Sequence, residues 1–161
     1  MLALRYAALL ALVVWVGGVT VLGGVVAPAA FDVLGGSGPA GRTLAGAVFA
    51  DVLRRFHLVS YVCGGVLLAS LLVRAVLGPR PRRFAVRIAI AVVMLGASVW
   101  SGLVLAPRIE RAQRDLAVPL STLAADDPRR TAFDRMHGTS TGLQLVPVLG
   151  GLALLFWELR D

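Results

Sequence analysis

The sequence predicts an all-α membrane protein, a polytopic four-transmembrane-helix bundle built from two tandem repeats of one helical hairpin. Three observations point there. Of 161 residues, 58% are hydrophobic and 16% charged, whereas roughly a quarter of residues are charged in soluble domains. Four apolar runs come close to the roughly 20 residues that cross a bilayer core as helix. Two short patterns also recur at nearly constant separation. Pro28 and Pro107, each after an alanine, are 79 residues apart, and His57 and His137 are 80 apart.

The first run covers about residues 7–30. It is too long for the apolar core of a cleavable signal, about 7–15 residues, so it is expected to be retained as a helix. The second covers about 58–76, the third about 85–106 and the fourth about 138–157. Between them stand Gly35-Gly36-Ser37-Gly38-Pro39, then Gly78-Pro79-Arg80-Pro81-Arg82-Arg83, then a charged segment from Arg108 to Arg135. Backbone groups in lipid must be satisfied within their own segment, so the runs are helical. The chain divides into a first hairpin repeat, 1–78, and a second, 84–161, within one membrane domain. Each copy has an Ala-Pro helix exit, a loop and an Arg-x-His-x-x-Ser helix start.

Tandem hairpins are parallel repeats, related by an axis along the membrane normal. Both Ala-Pro exits and both histidines are therefore expected at one membrane face, on adjacent helix starts. The opposite connection carries Arg74, Arg80, Arg82, Arg83 and Arg87 with no acidic residue. Under the positive-inside rule it is cytoplasmic, as are both termini, in a bacterial-type inner (plasma) membrane. The formal charge of +7 does not indicate nucleic-acid binding. All 16 basic residues are arginines spread through the gaps between apolar runs, not gathered on one solvated face. The expected partners are the lipid bilayer and a second copy or another membrane protein. Cys63 is alone, so no intrachain disulfide forms.

The polar content of the apolar runs is concentrated around the histidines. His137, Ser140, Thr141 and Gln144 share one helical face, matched by His57, Ser60 and Tyr61 in the first copy. Polar side chains in membrane helices face the bundle interior or a cavity. Two imidazoles across a pseudo-two-fold axis, with Met136 and Asp134 beside one of them, form a candidate ligand or metal site, for which copper or haem would be the groups to consider. The alternatives are interhelical hydrogen bonding, helped by close approach at Gly138-x-x-x-Gly142, and pH sensing. Pro28, Pro107 and Arg108 mark the helix exits. Pro147 should bend the last helix or free a carbonyl. Paired carboxylates, a nucleophile–base set and a Gly-rich phosphate loop are all missing from the sequence, so no enzyme is expected.

Leu105-Ala106-Pro107-Arg108, the charged helix after it and Phe133-x-x-x-His137-Gly138-x-Ser140 resemble the transmembrane-protein-205-like family. So do Pro28-x-x-Phe31, Gly41-Arg42, Phe49 and Phe56-His57. The plan is more distantly similar to the membrane domain of the copper-resistance D proteins. The resemblance implies a small four-helix membrane protein without an established reaction.

Overall fold

The computed structural model describes residues 2–160 except 79, 81, 117–119 and 125, with nothing described for the side chain of Ser121. Two of the punctuating prolines, Pro79 and Pro81, thus lie outside the described residues. Four long helical rods run up and down. The first comprises α1 (Leu2–Val21), a π turn (Leu22–Val26) and α2 (Ala27–Gly35). The second is α3 (Pro39–Leu77). The third comprises α4 (Phe84–Trp100), a second π turn (Ser101–Leu105) and α5 (Ala106–Arg114). A short 3-10 turn (Leu120–Thr122) leads into the fourth rod, α6 (Pro128–Arg160). The described residues contain no strand, and all four rods are long and apolar enough to cross a membrane.

The rods are longer than the apolar runs that predict them. With a 1.5 Å rise per residue, α3 extends about 58 Å, close to twice a hydrocarbon core of about 30 Å. Residues 39–57, read from sequence as a connection, continue the helix, because Ala, Leu and Arg favour that state even where the apolar run has ended. His57 is therefore in the middle of α3 and not at its start. Helix starts depend on local chemistry instead. Gly38 takes φ 84°, a left-handed turn that suits glycine, directly before Pro39. Asp127 precedes Pro128 and accepts the Arg129 backbone N–H at 2.8 Å.

Pro28 and Pro107 do not close their helices, contrary to expectation. Each rod widens into a π turn and then continues as α-helix with the proline in its first turn. Proline has no N–H, and its ring would press on the carbonyl four residues back. Widening the turn relieves that contact. The Ala27 N–H reaches the Leu22 carbonyl, and the Ala106 N–H reaches that of Ser101. The two π turns are 79 residues apart, the same separation as the prolines.

Neighbouring rods pack in a ring, with the first against the second and fourth and the third against the same two. Short connections force antiparallel neighbours onto adjacent corners, so α3 and α6 stand diagonally. The core holds Leu12, Trp15, Leu67, Leu71, Met94 and Leu154, each at most 2% exposed. The outer surface is apolar as well, with Leu10, Val62, Val93, Leu149 and Phe156 all exposed. Such a surface suits lipid, not water. Close approach is not made by Gly138 and Gly142, whose Cβ positions meet open space. Gly151 does so instead: a Cβ there would lie 2.2 Å from Val16 Cγ2.

At the end of the bundle that carries the termini, one carboxylate ties the rods together. Glu158, 2% exposed, accepts from Arg74 Nη1 with both carboxylate oxygens, at 2.9 and 3.0 Å, and from Arg87 Nη1 with Oε1 at 2.7 Å. Arg87 also donates to the Trp157 carbonyl at 3.2 Å. Arg5 donates to the Glu158 carbonyl and brings its Nε within 3.7 Å of the carboxylate. Arg74 and Arg87, read from sequence as loop charges, are turned into the bundle because a buried carboxylate requires counter-charge.

Candidate functional site

Halfway along the bundle the apolar core gives way to a polar layer. His57 and Ser60 enter it from α3, Ser98 and Ser101 from the third rod, and Ser140 and Gln144 from α6. The Ser101 and Ser140 hydroxyls stand 3.4 Å apart. Most of these groups, with the buried Pro147, line a water-sized void. Pro147 cannot donate to the Leu143 carbonyl one turn back, and Leu143 borders the same void. Ser60, Ser140 and Gln144 stand in this layer, whereas His137 and Thr141, expected on one face with Ser140 and Gln144, do not.

His57 also borders a second, larger cleft of about 300 Å3 between α3 and the third rod. His57, Tyr61 and Gly102 form its base, and Leu58 and Leu103 flank it. Arg54 and Arg55 stand about one turn further along α3. The His57 and Tyr61 rings stack with centroids 6.1 Å apart. Both rings fit only because residue 102 is glycine: a Cβ there would lie 2.3 Å from Tyr61 Oη and 2.9 Å from His57 Cγ. Gly102 belongs to the second π turn. Pro107 cannot donate to the carbonyl of Gly102 or Leu103, the two that a π or an α turn would offer it. Gly102 and Leu103, the two residues whose carbonyls lose that donor, both line the cleft.

His57 Nε2 and Tyr61 Oη are buried with no hydrogen-bond partner among the described residues. Trp15 Nε1 shares that condition, but it is sealed in the core and borders neither cavity. A buried polar atom without a partner costs about 1–3 kcal/mol. Both atoms belong to side chains that line the larger cleft, and both are enclosed beneath its surface.

The expected pairing of histidines is not made. His137 is exposed on the corner diagonal to α3 and stacks on Phe133 of its own helix, centroids 6.0 Å apart. It borders neither cavity. The position equivalent to Gly102 in the first π turn is Gly23, whose Cβ would meet nothing within 4 Å. Met136 is half-buried beside His137, and Asp134 is exposed. Thr141 is exposed and its hydroxyl donates to the His137 carbonyl at 3.1 Å. Arg108 is exposed beyond the π turn. Among the described residues no three His, Cys, Asp or Glu side chains gather as a metal-holding group.

Gly102 and the Glu158 clamp were missed from the sequence. Glu158 had a signal, being a carboxylate directly at the end of the last apolar run and so in need of partners. Gly102 had less, since 18 glycines are scattered through the chain.

Four apolar rods around a polar layer define a helical bundle of multi-pass membrane type. Within that class, the chain belongs to the family described as a domain of unknown function, DUF4149, which it matches over residues 10–117. The matched stretch contains both π turns and the base of the cleft, while His137 and Glu158 lie beyond its end. No curated protein and no solved structure matches the chain.

Proposed function

We propose that this is a multi-pass plasma-membrane protein, with both termini cytoplasmic, that holds a small ligand bearing polar groups in the cleft at His57 and performs no chemical step on it. The observation that carries this reading is one cleft of about 300 Å3 lined by His57 and Tyr61, two side chains whose Nε2 and Oη are buried without a partner among the described residues. Pockets of that size hold small molecules by shape plus a few convergent polar groups. The donor set suits a hydrogen-bonding ligand better than a soft metal or haem, because a single imidazole beside a phenol supplies one good nitrogen ligand. The kinship to the transmembrane-protein-205-like proteins, drawn from the sequence, belongs to this proposal. So does the orientation, which rests on the arginines of the 74–87 connection.

Native mass spectrometry of the protein released from its own membranes tests the reading. The wild type should carry a bound adduct that persists in His137→Ala and is lost in His57→Leu, Tyr61→Phe and Gly102→Leu. A bare mass, or an adduct indifferent to those substitutions, refutes it.

A second reading, as a subunit packing against a membrane partner, is favoured by the open space at Gly138 and Gly142. Cysteine crosslinking from position 142 in native membranes that recovered only monomer would count against it.

A further inference from the structure

We infer that the occupant of the His57 cleft is an anionic membrane lipid, bound from the bilayer side with its headgroup at Arg54 and Arg55. This rests on the small-ligand reading above and names its ligand class.

Depth is the first ground. Arg54 and Arg55 precede Arg74 by 20 and 19 residues on one continuous helix. At 1.5 Å per residue that separation is about 30 Å, the thickness of a hydrocarbon core. If Arg74 and the Glu158 clamp lie at one boundary, Arg54 and Arg55 lie at headgroup level on the other. His57 and Tyr61 then sit one to two turns beneath.

The second ground is the character of the walls. Leu58 and Leu103 flank the cleft and are each 64% exposed, so the cleft opens onto the apolar outer surface. A wholly polar ligand would leave those flanks to solvent or lipid, whereas an acyl chain covers them. At the base such a chain meets the His57 and Tyr61 rings, whose Nε2 and Oη are enclosed beneath that surface.

Charge is the third. Arg54 and Arg55 share one carboxylate, Asp51: Arg54 donates to Oδ1, and Arg55 Nε donates to Oδ2 at 2.8 Å. Two guanidinium groups against one carboxylate leave a local excess of one positive charge. Their side chains are 73% and 78% exposed, so they can turn to a phosphate.

The test uses the full chain in nanodiscs containing equal amounts of dioleoylphosphatidylglycerol and dioleoylphosphatidylcholine, with retained lipid counted by native mass spectrometry. Wild type should retain the glycerol lipid at least about fivefold over the choline lipid. The preference should fall to near parity in Arg54→Gln/Arg55→Gln, whose exposure predicts an unchanged melting temperature, and in Gly102→Leu. Asp51→Asn should raise it, which a purely structural role for Asp51 would not do. Millimolar inorganic phosphate should leave it intact. Equal retention of both lipids, or displacement by phosphate alone, overturns the inference. In that case a water-soluble adduct lost in Gly102→Leu preserves the parent reading, and a bare mass removes both.

Discussion

Replacing Glu158 with glutamine should loosen the whole bundle, because three rods send an arginine to the one carboxylate that the fourth supplies. Its side chain is 3% exposed, and those of Arg87 and Arg74 are 2% and 12% exposed. Breaking a buried ion pair by removing one partner costs about 3–5 kcal/mol. In a chain of this size each kcal/mol shifts the melting temperature by about 2–4 °C. Glu158→Gln should therefore melt about 10 °C below wild type in detergent or nanodiscs, followed by circular dichroism. Arg87→Gln should cost a similar amount. The double variant should fall well short of the sum, since both changes break the same contact. Arg5 is a built-in contrast: its side chain is 34% exposed and its closest approach to the carboxylate is 3.7 Å. Solvent screening should hold Arg5→Gln to below about 1 kcal/mol. A Glu158→Gln melt within 2 °C of wild type, as an order set by about 1 kcal/mol, would refute the clamp. So would Arg5→Gln proving as damaging as Arg87→Gln.

Gly102→Ala should destabilise by about 1–3 kcal/mol through the forced shift of the Tyr61 and His57 rings, while Gly142→Ala, with open space around it, should stay within about 0.5 kcal/mol of wild type or gain slightly; paired thermal melts decide. Met94→Ala should cost about 2–5 kcal/mol, because Met94 is fully buried among Trp15, Leu67 and Leu154; a melt unchanged from wild type would remove it from the core. Asp127 lies outside the apolar spans, and hydrogen bonds from the Arg129 side chain and backbone lower its pKa to about 2. A carboxylate depressed in the folded state contributes above its ordinary pKa near 4, and that contribution fades as pH falls toward about 2. Amide hydrogen exchange at residues 129–131 should accelerate across that window in wild type, and Asp127→Ala should show the accelerated rates already at pH 6.

Much of the architecture was legible because bilayer physics leaves few choices. An apolar run of about 20 residues has to be a helix, and Gly-Pro breaks mark where it can turn. The four rods follow from that. Their ends do not, since helix continues past the last apolar residue wherever Ala, Leu and Arg permit, as at 39–57. The polar layer was half visible. Helical spacing put His137 and Thr141 on one face with Ser140 and Gln144, and only the last two stand in the layer. The pairing of His57 with His137 failed because matching positions in two similar segments need not have matching surroundings: Gly102 receives two rings and Gly23 receives none. Sequence also gives little warning that two helices can approach closely at one glycine among many, and for that reason the cleft itself was invisible.

A π turn is also an insertion of one residue that the helix absorbs without breaking. Each residue turns a helix by about 100°, so everything beyond Leu22–Val26 and Ser101–Leu105 is rotated by about that angle relative to an unbroken α-helix. Losing a single residue from either segment would return it to regular α-helix with the projecting end, α2 or α5, still on the same face, whereas straightening the turn with every residue kept would swing that end around its axis. The Ala-Pro steps therefore act as phase setters. They decide which side of each outer half faces its neighbours, independently of the inner halves packed around Trp15 and Met94.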